Sequence, residues 1–246
     1  MTTSMAYTYS TLYNRVSKLL GTYGSSGPSG TDLTDAQDYV KSGYLRFLTA
    51  YDWTFRRRYA TLSFESGEYV YAMPQDFGGF RTTFTFDASS GYPPITERSE
   101  GELMELRSYG THSGYPQYFA VRSGKYEPSA GQTYEVVVWP TPDAASTVYY
   151  SYYYMPPMMS NDADLPMAGA EHAETILRFC LAAAEEEADE NQGVHAASAM
   201  QLFADSVRVD KLREPRNLGP MNNYGGLSSW EIARGSSRIN DVSYNT

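Results

Sequence analysis

The sequence predicts an α+β fold: an antiparallel bundle of about four helices, an all-β sandwich or small barrel inserted into it, and an extended C-terminal arm. Three observations predict it. Apolar residues recur at helical spacing near both ends of the chain. Between them they alternate at strand spacing. Past Pro215 no period is sustained, and Gly, Asn and Ser accumulate. The 246 residues are enough to bury a substantial core. The implied division is residues 1–56 with 164–214 as the helical domain, 57–163 as the inserted β domain, and 215–246 as the arm.

Residues 7–20, "YTYSTLYNRVSKLL", form the first helix, with Leu12, Val16, Leu19 and Leu20 on one side and Gly21 as its C-cap. "GTYGSSGPSG" (21–30) is a loop by composition. Thr34, with Gln37 three residues on, reads as the N-cap of a second helix. Ala36, Val40, Tyr44, Phe47, Leu48 and Tyr51 make its apolar face, and it ends near Asp52 or Trp53.

From Tyr59 the period becomes two. "YATLSFES", "EYVYAMP", "RTTFTFD", "PQYFAVRS", "TYEVVVWP" and "TVYYSYYYM" are strand candidates separated by Gly, Pro, Ser and Asp turns. "SFESGEYVYAMP" reads as a hairpin centred on Ser66 and Gly67, and residues 100–108 as a short helix. After Pro166, "AGAEHAETILRFCLAAAEEEADE" is rich in Ala and Glu, strong helix formers. Ile176, Leu177, Cys180, Leu181 and Ala184 share its face. A short loop leads to residues 193–214, so the last two helices are an antiparallel pair.

Charge narrows the function. The net of −10 argues against gripping nucleic acid, which rests on clustered Lys and Arg. The single cysteine, Cys180, permits no internal disulfide or cysteine metal cage and fits assembly in a reducing cytoplasm. The N-terminus lacks the basic and apolar regions of a signal peptide, and no stretch approaches the ~20 apolar residues of a membrane span. His112, His172 and His195 are scattered and read as solvated surface residues, too few for a zinc site. "GTYGSSGPSG" lacks the Lys and Ser/Thr of a phosphate loop, and no nucleophile elbow is present. No cofactor and no catalytic activity are expected.

Three groups remain as candidates for contact. "TVYYSYYYM" carries five tyrosines. Strand alternation sends Tyr149, Ser151 and Tyr153 to one face, and Val148, Tyr150, Tyr152 and Tyr154 to the other. Tyr on both faces suits a sheet covered either by another chain or by its own loops. Arg56, Arg57 and Arg58 read as partners for nearby carboxylates or a neighbouring subunit. The run "EEEADE" (185–190) fans around a helix and reads as a solvated face, with the alternative that it lines something negatively charged.

The order of several short pieces resembles the head-to-tail adaptor proteins of tailed bacteriophages. They are "FLTAYDWTFRRRYATLSFESGEYVYAMPQDFGGF" (47–80), "GYPQYFAV", "VVVWPTPDAASTVYYSYYYMPPMM" and "DLPMAGAEHAETILRFCLAAA". The likeness covers about residues 5–214 and excludes the arm. It implies a virion component assembled in the host cytoplasm, a ring of commonly twelve copies beneath the portal, between capsid and tail. Genomic DNA would pass through it without specific binding. The implied partners are further copies of the chain, the portal, and a tail, stopper or nozzle protein, with no membrane.

On that reading the subunit or portal contacts are Tyr150, Tyr152, Tyr154, Arg56 and Arg58, with Tyr224, Leu227, Trp230, Ile232, Arg234 and Arg238 of the arm. Glu185, Glu186, Glu187 and Asp189 face the channel. The arm from residue 216 carries three Arg against one Glu and one Asp, a net of +1, so the rest holds −11. The rival readings are another neck or tail protein (stopper, tail tube or nozzle) and, from a different class, a carbohydrate-binding β module with exposed aromatic rings.

Overall fold

Why the chain breaks into a helical and a β part is visible at Trp53. The computed structural model describes residues 6–128, 131–189 and 193–213. Helix α1 runs Tyr9–Leu19 and α2 Thr31–Thr49. Trp53 then turns back into the core, fully buried, and its indole N–H donates to the Phe47 carbonyl at 2.9 Å. A 3₁₀ turn, Thr54–Arg56, follows. Among the described residues, those from Arg57 to Met155 make one compact unit, and those before Arg57, with those from Pro156 to Arg213, make the other.

In the helical unit, α4 (Ala173–Asp189) and α5 (Val194–Arg213) join α1 and α2. α2 packs on α4, α4 on α5, and α1 on both α2 and α4. The shared core holds Leu12, Val16, Val40, Phe47, Ile176 and Cys180. Gly43 sets how near α2 and α4 come: a β-carbon there would lie 2.5 Å from the Cys180 Cα. α1 stops as its sequence predicts. Gly21 takes φ +72°, its N–H bonds the Lys18 carbonyl, and the Thr22 N–H bonds Ser17. α2 starts one turn before the expected cap. Thr34 is inside the helix, its hydroxyl bonded back to the Gly30 carbonyl at 3.3 Å, and Gly30 is the N-cap. Residues 156–168 lie along this unit: the N–H groups of Tyr9 and Ser10 donate to the carbonyls of Asp164 and Asp162.

The β unit contains two four-stranded sheets, and neither closes into a barrel. The strands are β1 (Arg57–Phe64), β2 (Val70–Ala72), β3 (Phe77–Phe80), β4 (Thr85–Phe86), β5 (Thr96–Glu97), β6 (Tyr118–Glu127), β7 (Gly131–Trp139) and β8 (Ser146–Tyr154). One sheet has the order β1-β8-β3, with β4 also on β8; the other has β2-β7-β6-β5. All pairs are antiparallel except β5 with β6.

The expected hairpin at Ser66 and Gly67 is therefore corrected: β1 and β2 lie in different sheets. The turn itself exists, with Gly67 at φ +85°, but its N–H bonds the Pro142 carbonyl at 2.9 Å. The physical reason is Phe64 and Tyr71, both buried, whose rings meet at 5.0 Å while their backbones belong to separate sheets. More ring contacts run between the sheets: Phe80 to Phe119 at 5.2 Å and Phe77 to Tyr134 at 5.9 Å.

The short helix expected at 100–108 is α3, Glu100–Ser108. Ser99 and Glu102 form a reciprocal capping box at its start, and Leu103 packs on Ala120 of β6 and Val137 of β7.

Candidate functional site

The tyrosine strand is β8, and its two faces have different fates. Val148, Tyr150, Tyr152 and Tyr154 point inward and are buried within the chain's own β unit. Burial pushes the Tyr150 phenol up to about 12. The Tyr152 hydroxyl donates to Asp76 at 3.2 Å, and burial, then the Asp76 carboxylate, raise its pKa. Arg58 lies 3.5 Å over the Tyr154 ring and pairs with the same Asp76 at 3.2 Å. So three of the tyrosines expected at a subunit contact are engaged internally, and Arg58 binds the carboxylate that also holds Tyr152. Arg56 is buried and donates to the Leu48 carbonyl at 2.8 Å.

The opposite face is open in part: Ser151 is buried, whereas the tyrosines on either side of it on this face are not. Tyr59 on β1 is 90% exposed and Tyr149 on β8 is 45% exposed. A shallow groove of about 530 Å³ runs between them, with Thr61, Thr82 and Thr85 on its walls and no charged residue in its lining. Arg81 borders this face, donating to the Tyr153 hydroxyl at 2.7 Å. Tyr59 was not among the expected contact residues. The signal for it was present: it falls in phase with Thr61 and Ser63, and every one of the three is exposed.

The acidic run divides as helix geometry requires. Glu185 accepts the backbone N–H of His195 at 2.9 Å, so it caps the start of α5. Glu186 pairs with Arg46 of α2. Glu187 is exposed. The side chain of Asp189 lies outside the described residues, as do Tyr224, Leu227, Trp230, Ile232, Arg234 and Arg238.

The histidines need one correction. His172 is not a solvated surface residue. It is fully buried among Phe47, Trp53 and Phe55, and neither ring nitrogen has a hydrogen-bond partner among the described residues. Desolvation lowers its pKa, opposed by Glu171 and Asp210. The helical pattern missed this because His172 sits in a 3₁₀ turn before α4. Among the described residues no group of three or more His, Cys, Asp or Glu is placed to hold a metal ion. Cys180 is buried, its thiol pushed up to about 12 by desolvation, so it is a packing residue rather than a nucleophile. Among the same residues no helix is long and apolar enough to cross a membrane.

Two comparisons bear on this arrangement. A family model described as SU10 adaptor protein matches residues 7–223. No curated protein matches the chain. The matched range takes in every helix and strand described above, and it agrees with the adaptor resemblance read from the order of the sequence pieces.

Proposed function

The chain belongs to the SU10 adaptor protein family, and from that premise we propose that it is a structural, non-enzymatic protein of a phage virion. Its copies form a ring of twelve beneath the portal and join capsid to tail, and genomic DNA passes through the centre. The observation that carries this reading is the family match, which covers both compact units in one span.

We read α1, α2, α4 and α5 as the antiparallel bundle of that adaptor, the β unit as an inserted sandwich, and residues 215–246 as its arm. The ring contacts among the described residues fall on the open tyrosine face. Tyr59 and Tyr149 give broad, rigid contact area with polar tips, a composition suited to half-wet interfaces. A ring needs two different patches on each subunit, and the arm supplies the second. The charge balance suits a conduit. Each Lys or Arg on the wall would add a salt-dependent hold on phosphate, whereas the net charge here is −10.

The test is the mass of the native particle, alone and with purified portal. An assembly many times the 27.5 kDa monomer, or capture onto the portal ring, supports the reading. A chain that stays monomeric at every concentration and ignores the portal overturns it. The open face also favours a second reading, a platform for a neutral sugar, because its groove is uncharged and lined by phenol and hydroxyl groups. That reading leaves the helical unit without a role. Binding of a neutral oligosaccharide that Tyr59→Ala abolishes, in a protein that never assembles, would select it.

A further inference from the structure

Sheet edges are pairing sites unless something blunts them, and among the described residues three of the four edges in the β unit are blunted. β2 has three residues and β5 two. The β3 and β4 edge is broken into pieces of four and two residues, with a register shift between Phe77 and Phe80. β1 differs. It runs eight residues, pairs only with β8 among the described residues, and carries neither Pro, Gly nor bulge. Its centre, Tyr59 to Ser63, has no charge. Ala60 and Leu62 are partly exposed there, although Tyr150 and Val148, their partners across the sheet, are buried.

The direction of the backbone groups on this edge follows from β8. On the side of β8 away from β1, the Ser151 carbonyl accepts the Arg81 N–H at 2.8 Å, and the Ser151 N–H donates to the Thr82 hydroxyl at 3.0 Å. Both groups of Ser151 therefore point away from β1, and alternation gives Tyr149 and Tyr153 the same direction. β1 is bonded to β8 through Arg58, Ala60 and Leu62, which face Tyr152, Tyr150 and Val148. The N–H and C=O groups of Tyr59, Thr61 and Ser63 are left directed at the open edge.

We propose that a second copy of this chain covers the edge, β1 against β1, antiparallel about a two-fold axis at Thr61. In this register Thr61 faces Thr61 of the second copy and Tyr59 faces its Ser63, and each such pair exchanges the backbone bonds left open above. On the inward face Ala60 of each copy meets Leu62 of the other, which completes the apolar row. On the outward face Arg57 of each copy lies opposite Glu65 of the other, and Glu65 is exposed. The strand is thus complementary to itself in charge as well as in shape. A parallel pairing sets Arg57 against Arg57 and Glu65 against Glu65, which is unfavourable. A shift by one residue turns the apolar row to the solvent face, and a shift by two loses both charge pairs. A two-fold contact joins like patches, whereas the repeating contact of a cyclic ring joins unlike ones. The pair is therefore a state of the free chain, one that closes a long uncharged edge against open-ended strand addition. It does not depend on the ring or the portal.

Cysteine cross-linking and sedimentation of the full-length protein, without portal, test it. Thr61→Cys should give a disulfide-linked dimer under mild oxidation, because directly opposed strand residues lie about 5.5 Å apart at Cα. Ser63→Cys should not, because its counterpart in the second copy lies four positions, or about 13 Å, along the strand. The wild type, whose single cysteine is buried, gives the background. Arg57→Glu and Glu65→Arg should each weaken self-association at least about tenfold by setting like charges opposite. An equimolar mixture of the two should recover it, since every facing pair is again opposite in charge. Thr61→Pro removes an N–H directed at the open edge and spares the bonds to β8, so it should give a folded monomer. If Arg57→Glu does not fold, Glu65→Arg and the cross-links decide. Absence of a Thr61→Cys cross-link at every concentration overturns the pairing, as does equal linking of Thr61→Cys and Ser63→Cys, the mark of random collision. Self-association that is indifferent to Glu65→Arg and Thr61→Pro but lost with Tyr149→Ala also overturns it and assigns the contact to the tyrosine face.

Discussion

Asp210 of α5 holds Thr54, accepting its backbone N–H at 2.9 Å and its hydroxyl at 2.6 Å. The carboxylate is fully buried and caps the 3₁₀ turn through which the chain leaves the helical unit. Asp210→Ala strands both donors and should cost about 2–4 kcal/mol. Thr54→Val removes only the hydroxyl bond and should cost about 1 kcal/mol. Urea unfolding of the two variants and their combination checks this, and the combined loss should fall short of the sum because the pair shares one interaction.

His172 makes the helical unit sensitive to acid. Its folded pKa lies below the ordinary 6.5 because burial disfavours the charged ring. The unfolded chain therefore takes up the proton first. Stability is complete above pH 6.5 and is lost as pH falls from there through the depressed folded value. His172→Leu removes the titrating group, so the variant should keep its melting temperature between pH 6.5 and 5 where the wild type declines. Parallel melting curves in that window would refute the assignment.

Gly43 is fixed by the closeness of α2 and α4. A methyl group there meets the backbone of Cys180, which no rotamer change relieves. Gly43→Ala should destabilise by about 1–3 kcal/mol in spite of its better helix propensity. Ala36, fully buried on the same helix, gives the contrast: Ala36→Gly should also destabilise, by creating space and loosening the backbone. Denaturant midpoints distinguish the two positions from an exposed control.

The two faces of the tyrosine sheet should separate cleanly in a mutation series. Tyr152→Ala empties a buried site and should cost about 3–5 kcal/mol in the isolated monomer. Tyr59→Ala removes a ring that touches solvent and should leave monomer stability within about 0.5 kcal/mol. If the open face joins copies, Tyr59→Ala nevertheless weakens assembly, read by sedimentation at matched concentrations. Tyr59→Ala particles as stable as wild type would remove this face from the ring contact.

How much of this was legible in the residues depends on what set each feature. The four long helices follow from apolar spacing, and Ala36, Val40, Tyr44, Phe47 and Leu48 of α2 are buried as its period predicts, with Gly43 buried beside them. The start of α2 was misplaced because Thr34 can serve either as a cap or as an interior residue bonded back one turn, and nothing local decides between them. The false hairpin has a similar origin. "ESGE" is a good turn, but which strands pair is settled by Phe64 and Tyr71 meeting across the two sheets, a contact that no local pattern encodes. β3 and β5 were missed because "FGGF" reads as a loop and two residues make no period. At the candidate site, alternation sorted the β8 side chains onto the correct two faces. It could not say which face was covered, since that depends on the second sheet.

Among the described residues β8 is the only strand that β1, β3 and β4 share, and it ends at Tyr154. During synthesis the first three emerge from the ribosome long before their common neighbour. Their sheet has no template until residue 154 is out, and α2 likewise waits for α4, another thirty or so residues later. Such late, long-range pairing slows folding and leaves apolar segments exposed meanwhile. A nascent chain stalled before residue 146 should therefore be a chaperone client, and release of the finished polypeptide should trigger both units to consolidate nearly together.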